Sequence, residues 1–76
     1  MKITVKLFAF LRKGRFAAQE FDVKEGTTVE EIMSILSITK EEMKIGIILV
    51  NGQHSTFQTV LHEGDVLSLF PPAAGG

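Results

Sequence analysis

The residues of this chain with the clearest capacity for chemistry are Gly75 and Gly76, which follow Pro71-Pro72 and two alanines. Glycine has no Cβ, so a carboxylate on Gly76, with Gly75 before it, could enter a site too narrow for other residues. Adenylation would make that carboxylate an acyl donor, and a sulfur nucleophile could then replace the adenylate to leave a thiocarboxylate. We therefore expect the reactive group at Gly76. The alternative is a disordered end without a function.

The side chains offer little other chemistry. The chain has no cysteine, which excludes disulfides, thiolate metal sites and thiol nucleophiles. His54 and His62 fall in predicted loop or edge segments, and no third group is placed to orient either one. No glycine-rich phosphate loop occurs. We expect no metal site, no cofactor bound by the chain and no catalysis by the chain alone, so a partner enzyme would supply ATP, magnesium and sulfur.

Length and composition indicate one small folded domain. The chain has 76 residues, of which 45% are hydrophobic and 22% charged, with a formal net charge of −1. The first sixteen residues carry only basic charges, which could steer an acidic partner or could be a solvated turn. This is too little basic charge to favour nucleic-acid binding. Neither a membrane span nor a signal peptide is evident, so we expect a cytoplasmic protein.

Two strands are predicted in the first third of the chain. Residues 2–11 alternate, with Ile3, Val5 and Leu7 on one face and polar side chains on the other. A turn at residues 13–15 leads to a second strand over residues 16–24, with Phe21 and Val23 directed inward. Strands this close in sequence favour an antiparallel hairpin.

A helix follows the hairpin. Thr28 and Glu31 have the spacing of a capping box, and Val29, Ile32, Met33 and Leu36 form one apolar stripe. Thr39 and Glu42 repeat the capping pattern, with Ile38 and Met43 placed as a hydrophobic staple. A brief helical turn is predicted there.

The second half reads as strands. Residues 45–50 predict a central strand, Asn51-Gly52 a tight turn, residues 57–61 a short edge strand and residues 66–70 the last strand. The prolines that follow cannot donate to a sheet, so the last strand should end at Phe70. The expected organisation is one domain over residues 1–70 and a flexible tail over residues 71–76.

A single helix can cover only one face of this sheet. By alternation, the uncovered face carries Phe8, Phe10 and Phe70, together with Leu49. Clustered exposed hydrophobic side chains mark interaction surfaces. The alternative is that one or two of these phenylalanines lie under a loop.

Three stretches resemble a known family. Residues 64–76 have a Gly-Asp strand followed by Phe70-Pro71-Pro72 and the double glycine; Phe8-Ala9-Phe10-Leu11-Arg12 and Val50-Asn51-Gly52 are the others. The chain is similar to the ubiquitin-like sulfur carriers and, within them, to the molybdopterin synthase small subunit. The Phe-Pro-Pro element argues against the thiamine carriers, whereas the short turn after the first strand and the short helix are nearer to them.

The resemblance implies an α+β, β-grasp fold with a mixed sheet of four to five strands and one main helix on one face. It also implies a thiocarboxylate on Gly76, formed with an E1-like adenylating enzyme and delivered to the molybdopterin synthase large subunit. Phe8 and Phe70 would lie on the docking surface, and we add Phe10, Pro71 and Pro72 to the expected partner-binding residues. Thiamine or amino-acid biosynthesis, and conjugation to proteins through Gly76, stay open as alternatives.

Overall fold

A mixed five-stranded sheet and one α-helix make up the protein. The computed structural model describes residues 1–72, so Gly75, Gly76 and most of the predicted 71–76 tail lie outside the described residues. The elements are β1 (Lys2–Leu7), a 3₁₀ helix (Ala9–Arg12), β2 (Ala18–Asp22), α1 (Val29–Ile35), β3 (Ile47–Val50), β4 (Gln53–His54) and β5 (Val66–Phe70). The strand order is β2-β1-β5-β3-β4. β1 and β5 are parallel, and the other neighbours are antiparallel.

The predicted hairpin is confirmed, but both of its strands are shorter than the alternation suggested. β1 ends at Leu7, because Ala9 adopts a φ of +53° and residues 9–12 turn into the 3₁₀ helix. This turn carries Leu11 into the core, where it is fully buried. Tertiary burial of Leu11 thus overrides the strand pattern of the sequence. Phe21 and Val23 pack partly buried against the core, as expected.

Both predicted capping boxes form. Glu31 accepts a hydrogen bond from the Thr28 amide (2.9 Å), and the Thr28 hydroxyl accepts one from the Glu31 amide (3.3 Å). The same exchange joins Thr39 and Glu42, at 2.8 and 3.1 Å. The chain after Thr39 continues as hydrogen-bonded turns, in which the amide of Met43 donates to the carbonyl of Lys40 (3.1 Å). Each box satisfies backbone amides that the start of a helical turn leaves without partners.

The prediction of an edge strand over residues 57–61 is wrong. This segment is a turn and loop that makes only an isolated bridge, between Val60 and Thr28. Two of its carbonyls instead accept hydrogen bonds from the first turn of α1. The amide of Val29 donates to the Thr59 carbonyl (3.0 Å), and the amide of Glu30 donates to the Phe57 carbonyl (2.9 Å). The edge strand is β4, which follows the predicted Asn51-Gly52 turn and was not predicted.

The core lies between α1 and one face of the sheet. Its buried side chains are Ile3, Val5, Leu7, Leu11, Val29, Ile32, Met33, Ile38, Met43, Ile48, Leu61, Leu67 and Leu69. No helix among residues 1–72 covers the opposite face. The predicted α+β, β-grasp architecture is therefore confirmed. No helix in the described part is long and apolar enough to cross a membrane.

Candidate functional site

Two phenylalanines stack on the helix-free face at the end of β5. The ring centroids of Phe8 and Phe70 are 4.0 Å apart, and the ring planes differ by 11°. Each ring follows a buried leucine, and these leucines, Leu7 and Leu69, are register partners of the parallel β1–β5 pair. Since successive side chains alternate across a strand, the buried leucines direct both rings to the opposite face. The stack lies immediately before Pro71, where the chain leaves the sheet.

The Arg12 side chain packs against the Phe8 ring of this stack. Its guanidinium carbon lies 5.2 Å from the Phe8 ring centroid, and its Nε donates a hydrogen bond to the Leu7 carbonyl at 2.6 Å. A guanidinium at this distance from a ring makes a cation–π contact. Arg12 belongs to the Phe8–Arg12 stretch quoted for the family resemblance, but no role was predicted for it. In a strand that continued to Leu11, the Arg12 side chain would lie too far along the chain to contact the Phe8 ring.

Ile47 and Leu49 extend the apolar surface onto β3. Ile47 is the register partner of Phe70, and Leu49 that of Ser68, so both share the helix-free face. Ile47 is 45% exposed, and Leu49 is partly buried. We call Phe8, Phe70, Ile47 and Leu49 the apolar surface. Leu49 was expected on this face; Ile47 was missed, although the same alternation could have found it.

The structure does not bring Phe10 into the stack. Phe10 lies on the 3₁₀ helix, is 44% exposed, and shares no ring stacking with another aromatic residue among residues 1–72. Its placement by strand alternation is wrong, because the strand has ended before it. The expected part of Phe10 in partner binding stays a prediction.

The end of β5 is closely packed against the start of β3. A Cβ added to Gly46 would collide with the Phe70 carbonyl oxygen and would lie 3.0 Å from the Met43 methyl group. Glycine at position 46 therefore permits the two segments to approach closely at the point where the chain leaves the sheet. Pro71 and Pro72 follow, partly buried and outside any strand. Sequence reasoning missed Gly46, because its requirement arises from a distant segment.

The start of β5 is held by the Asn51 and Asp65 side chains. The Asn51 amide group donates to Asp65 Oδ1, and Asn51 Oδ1 accepts from the Val66 amide, both at 2.9 Å. Asp65 Oδ2 accepts from the His62 amide at 2.8 Å. Asn51 of the Asn-Gly pattern and Asp65 of the Gly-Asp pattern therefore have a structural role. They fix the register of the strand that carries Phe70.

The remaining polar side chains form no catalytic cluster in the described part of the chain. His54 lies exposed on β4, and the His62 side chain is 80% exposed, with Nδ1 3.9 Å from Asp65. No group of three or more histidine and carboxylate side chains within residues 1–72 could hold a metal ion. The site that the structure offers is thus an apolar surface with basic neighbours, Lys6 and Arg12, both exposed.

Solved structures with the same fold are found in archaea and bacteria. A putative molybdopterin converting factor subunit 1 from Pyrococcus furiosus is 28% identical, with a TM-score of 0.72 over 96% of this chain and 99% of that chain. A chain in the complex of subunits 1 and 2 of the molybdopterin-converting factor from Helicobacter pylori 26695 is similar too. That match is 26% identical and covers 100% of both chains, with a TM-score of 0.65.

A third similar structure is small archaeal modifier protein 1 from Haloferax volcanii. It is 24% identical, with a TM-score of 0.73 over 95% of this chain and 98% of that chain, a likeness that concerns the fold. No curated protein sequence matches the chain. The sequence pattern of the ThiS family, in contrast, matches residues 5–76. The chain therefore belongs to the ThiS family of ubiquitin-like sulfur carriers.

Proposed function

We propose that this chain carries sulfur as the small subunit of a molybdopterin synthase in molybdenum or tungsten cofactor synthesis. An E1-like enzyme would adenylate the Gly76 carboxylate with ATP and magnesium and release pyrophosphate. A sulfur nucleophile would then displace AMP and leave a thiocarboxylate. In this role the chain is a non-catalytic, cytoplasmic carrier, and the large subunit performs the transfer.

The observation that carries the proposal is the Phe8–Phe70 stack at the point where the chain leaves the sheet. A partner that covers the apolar surface would receive the following residues, Pro71 and Pro72, at the edge of the same contact. Two consecutive prolines favour an extended, stiff path and offer no amide to the sheet. Such a path would lead the terminal glycines away from the domain and into a partner's active site.

The chemistry of the apolar surface fits a protein partner. Aromatic side chains packed at the centre of an interface carry much of the binding energy, and basic rim residues such as Lys6 and Arg12 favour an acidic partner surface. The similar Helicobacter pylori protein was solved as a complex of subunits 1 and 2. This supports a large-subunit partner for the present chain.

The first experiment is mass spectrometry of the chain co-expressed with each E1-like enzyme of its own genome. We expect the mass gain of one sulfur replacing one oxygen, located at Gly76. A variant that lacks Gly76 should not gain this mass, whereas Gln58→Ala, an exposed position outside the predicted partner-binding residues, leaves the terminus unchanged and provides a control. Absence of the thiocarboxylate with every such enzyme would contradict the proposal. So would a native protein whose terminal residue is not Gly76.

The second experiment separates the pathways. Thiocarboxylated protein mixed with the large subunit should convert a molybdopterin precursor to the dithiolene, and deletion of the gene should abolish cofactor synthesis. Thiamine or amino-acid auxotrophy with intact cofactor synthesis would instead indicate the alternative sulfur-carrier role. Higher-mass conjugates that disappear on deletion of Gly76 would indicate a protein modifier, the alternative that the fold of small archaeal modifier protein 1 suggests.

A further inference from the structure

The outer edge of β2 is an unpaired sheet edge. Within residues 1–72, β2 is bonded to β1 alone. The amide of Leu7 donates to the Ala17 carbonyl (2.9 Å) and that of Val23 to the Met1 carbonyl (2.8 Å), so the odd-numbered residues of this strand bond inward. The backbone groups of Ala18, Glu20 and Asp22 therefore point outward.

This edge is accessible and regular. Four of the five β2 residues are exposed, all but Phe21, and the register with β1 runs from Ala18 to Asp22 without a bulge. β2 contains neither proline nor lysine, two of the residues that commonly block sheet edges. Three outward residues offer three N–H donors and three C=O acceptors to an added strand.

The side chains of β2 and its neighbours differ between the two faces of the sheet at this edge. Glu20 and Asp22 lie on the helix-free face, opposite Thr4 and Lys2 in the register. On the helix side, a groove of about 570 Å³ continues from the end of β2 to α1, with Val23 and Ile35 among its lining residues. Ile35 is 60% exposed, which leaves apolar area in the groove for another side chain to cover.

Carboxylates outnumber basic groups on β2 and in the groove, and one of them, Asp22, is paired with the N-terminal ammonium at 3.3 Å. The groove is also lined by Glu25 and Glu31, against a single basic side chain, Lys24. A strand that pairs with β2 would alternate in the same way, with one set of side chains beside Glu20 and Asp22 and the other beside the apolar groove. The complementary sequence has basic residues in the first set and β-branched apolar residues in the second.

We infer that the β2 edge binds an extended segment of a partner protein in which basic and apolar residues alternate. Pairing of β2 with a second copy is disfavoured, because the antiparallel register that places Ala18 opposite Asp22 also places Glu20 opposite Glu20, and directly opposed like charges destabilise a sheet. The inference does not depend on the proposed sulfur-carrier function. The groove lies at the Asp22 end of the hairpin and the Phe8–Phe70 stack at the other end, so a segment bound in the groove leaves the stack free.

The test uses the full chain, labelled with ¹⁵N, and a capped six-residue peptide of alternating lysine and valine. We expect amide chemical-shift changes over residues 18–23 and at Ile35, with slower solvent exchange of the Glu20 and Asp22 amides. A peptide of alternating glutamate and valine should bind at least about tenfold more weakly, since like charges at the rim repel. Shifts centred elsewhere, or equal binding of the two peptides, would overturn the inference.

Two variants separate strand pairing from charge attraction. Glu20→Thr and Glu20→Pro remove the same charge, but only proline removes the outward N–H, and neither removes an inward bond to β1. We expect Glu20→Pro to bind the lysine–valine peptide about five- to tenfold more weakly than Glu20→Thr. Equal affinities would show that the edge does not pair.

Two further measurements do not depend on how well the proline variant folds. The lysine–valine peptide can be N-methylated at alternate residues in two ways, at every lysine or at every valine. Each pattern removes the N–H donors of one edge of the peptide strand. We expect only the pattern that removes the donors facing β2 to abolish binding to the unchanged chain. Full binding of both patterns would overturn the inference. Concentration-dependent dimers of Glu20→Thr, without peptide binding, would also overturn it by showing that the acidic charge serves only to prevent self-pairing.

Discussion

Replacement of Phe70 by alanine separates docking from folding. Phe70 and Leu69 are neighbours on β5, but Leu69 is fully buried in the core whereas Phe70 is partly buried on the helix-free face and stacks on Phe8. We therefore expect Phe70→Ala to reduce the affinity for a partner more than it reduces the stability of the fold. Leu69→Ala is the matched control, with the opposite expectation.

The magnitudes follow from the two environments. Phenylalanine-to-alanine changes in protein cores lower the free energy of unfolding by about 3–5 kcal/mol. Because Phe70 is partly exposed, we expect a decrease of about 1–2 kcal/mol, which includes the lost contact with the Phe8 ring. A domain of this size loses roughly 4–8 °C in Tm for each kcal/mol. Leu69→Ala should cost about 2–5 kcal/mol. Truncation of an aromatic side chain central to an interface costs about 2 kcal/mol or more, a loss of at least about thirtyfold in affinity.

The assay combines thermal unfolding with calorimetric titration against the E1-like enzyme or the large subunit, at a temperature where all variants are folded. A double-mutant cycle with Phe8→Ala should give a coupling of about 0.5–1.5 kcal/mol in the free protein. The reasoning is refuted if Phe70→Ala lowers stability as much as Leu69→Ala while the partner affinity is unchanged.

Two further changes test how the ends of β5 are held. Asn51→Ala removes both 2.9 Å side-chain hydrogen bonds, one of them to Asp65, and places alanine at a φ of 52°. Urea denaturation should therefore show a free energy of unfolding lower by about 2–3 kcal/mol. Asn51→Gly should recover only the part of the lost stability that is due to the positive φ. If this variant were as stable as the unchanged protein, the side-chain hydrogen bonds would contribute nothing. Gly46→Ala should displace the Phe70 carbonyl and cost about 1–3 kcal/mol, with weaker partner binding. Gly64→Ala, with open space around its Cβ but a φ of +82°, should cost about 1 kcal/mol and leave partner binding unchanged; equal binding losses would contradict the role of Gly46.

Local signals in the sequence predicted much of the fold. The capping boxes at Thr28 and Thr39 and the Asn51-Gly52 turn all form, because the hydrogen bonds and dihedral angles that define them involve residues at most three positions apart. The antiparallel hairpin and the last strand were found by alternation for a similar reason. Their side-chain period reflects burial on one face.

Errors arose where a distant contact overrides the local pattern. Residues 57–61 have the composition of an edge strand, but their carbonyls are hydrogen-bonded to amides of α1. Residues 8–11 continue the alternation of β1, but burial of Leu11 turns them into the 3₁₀ helix and removes Phe10 from the strand. No sequence window contains either cause.

The sequence by itself indicated the class of protein, because the resemblance carried mainly by residues 64–76 implies a small β-grasp carrier. The single amphipathic helix further predicted that one face of the sheet stays uncovered. Only the tertiary structure decided the composition of the site. Parallel pairing of β1 with β5 joins residues more than sixty positions apart and places Phe8 against Phe70. The same packing brings Arg12 to Phe8, adds Ile47 and requires glycine at position 46, because these relations arise from strand order rather than from neighbours along the chain.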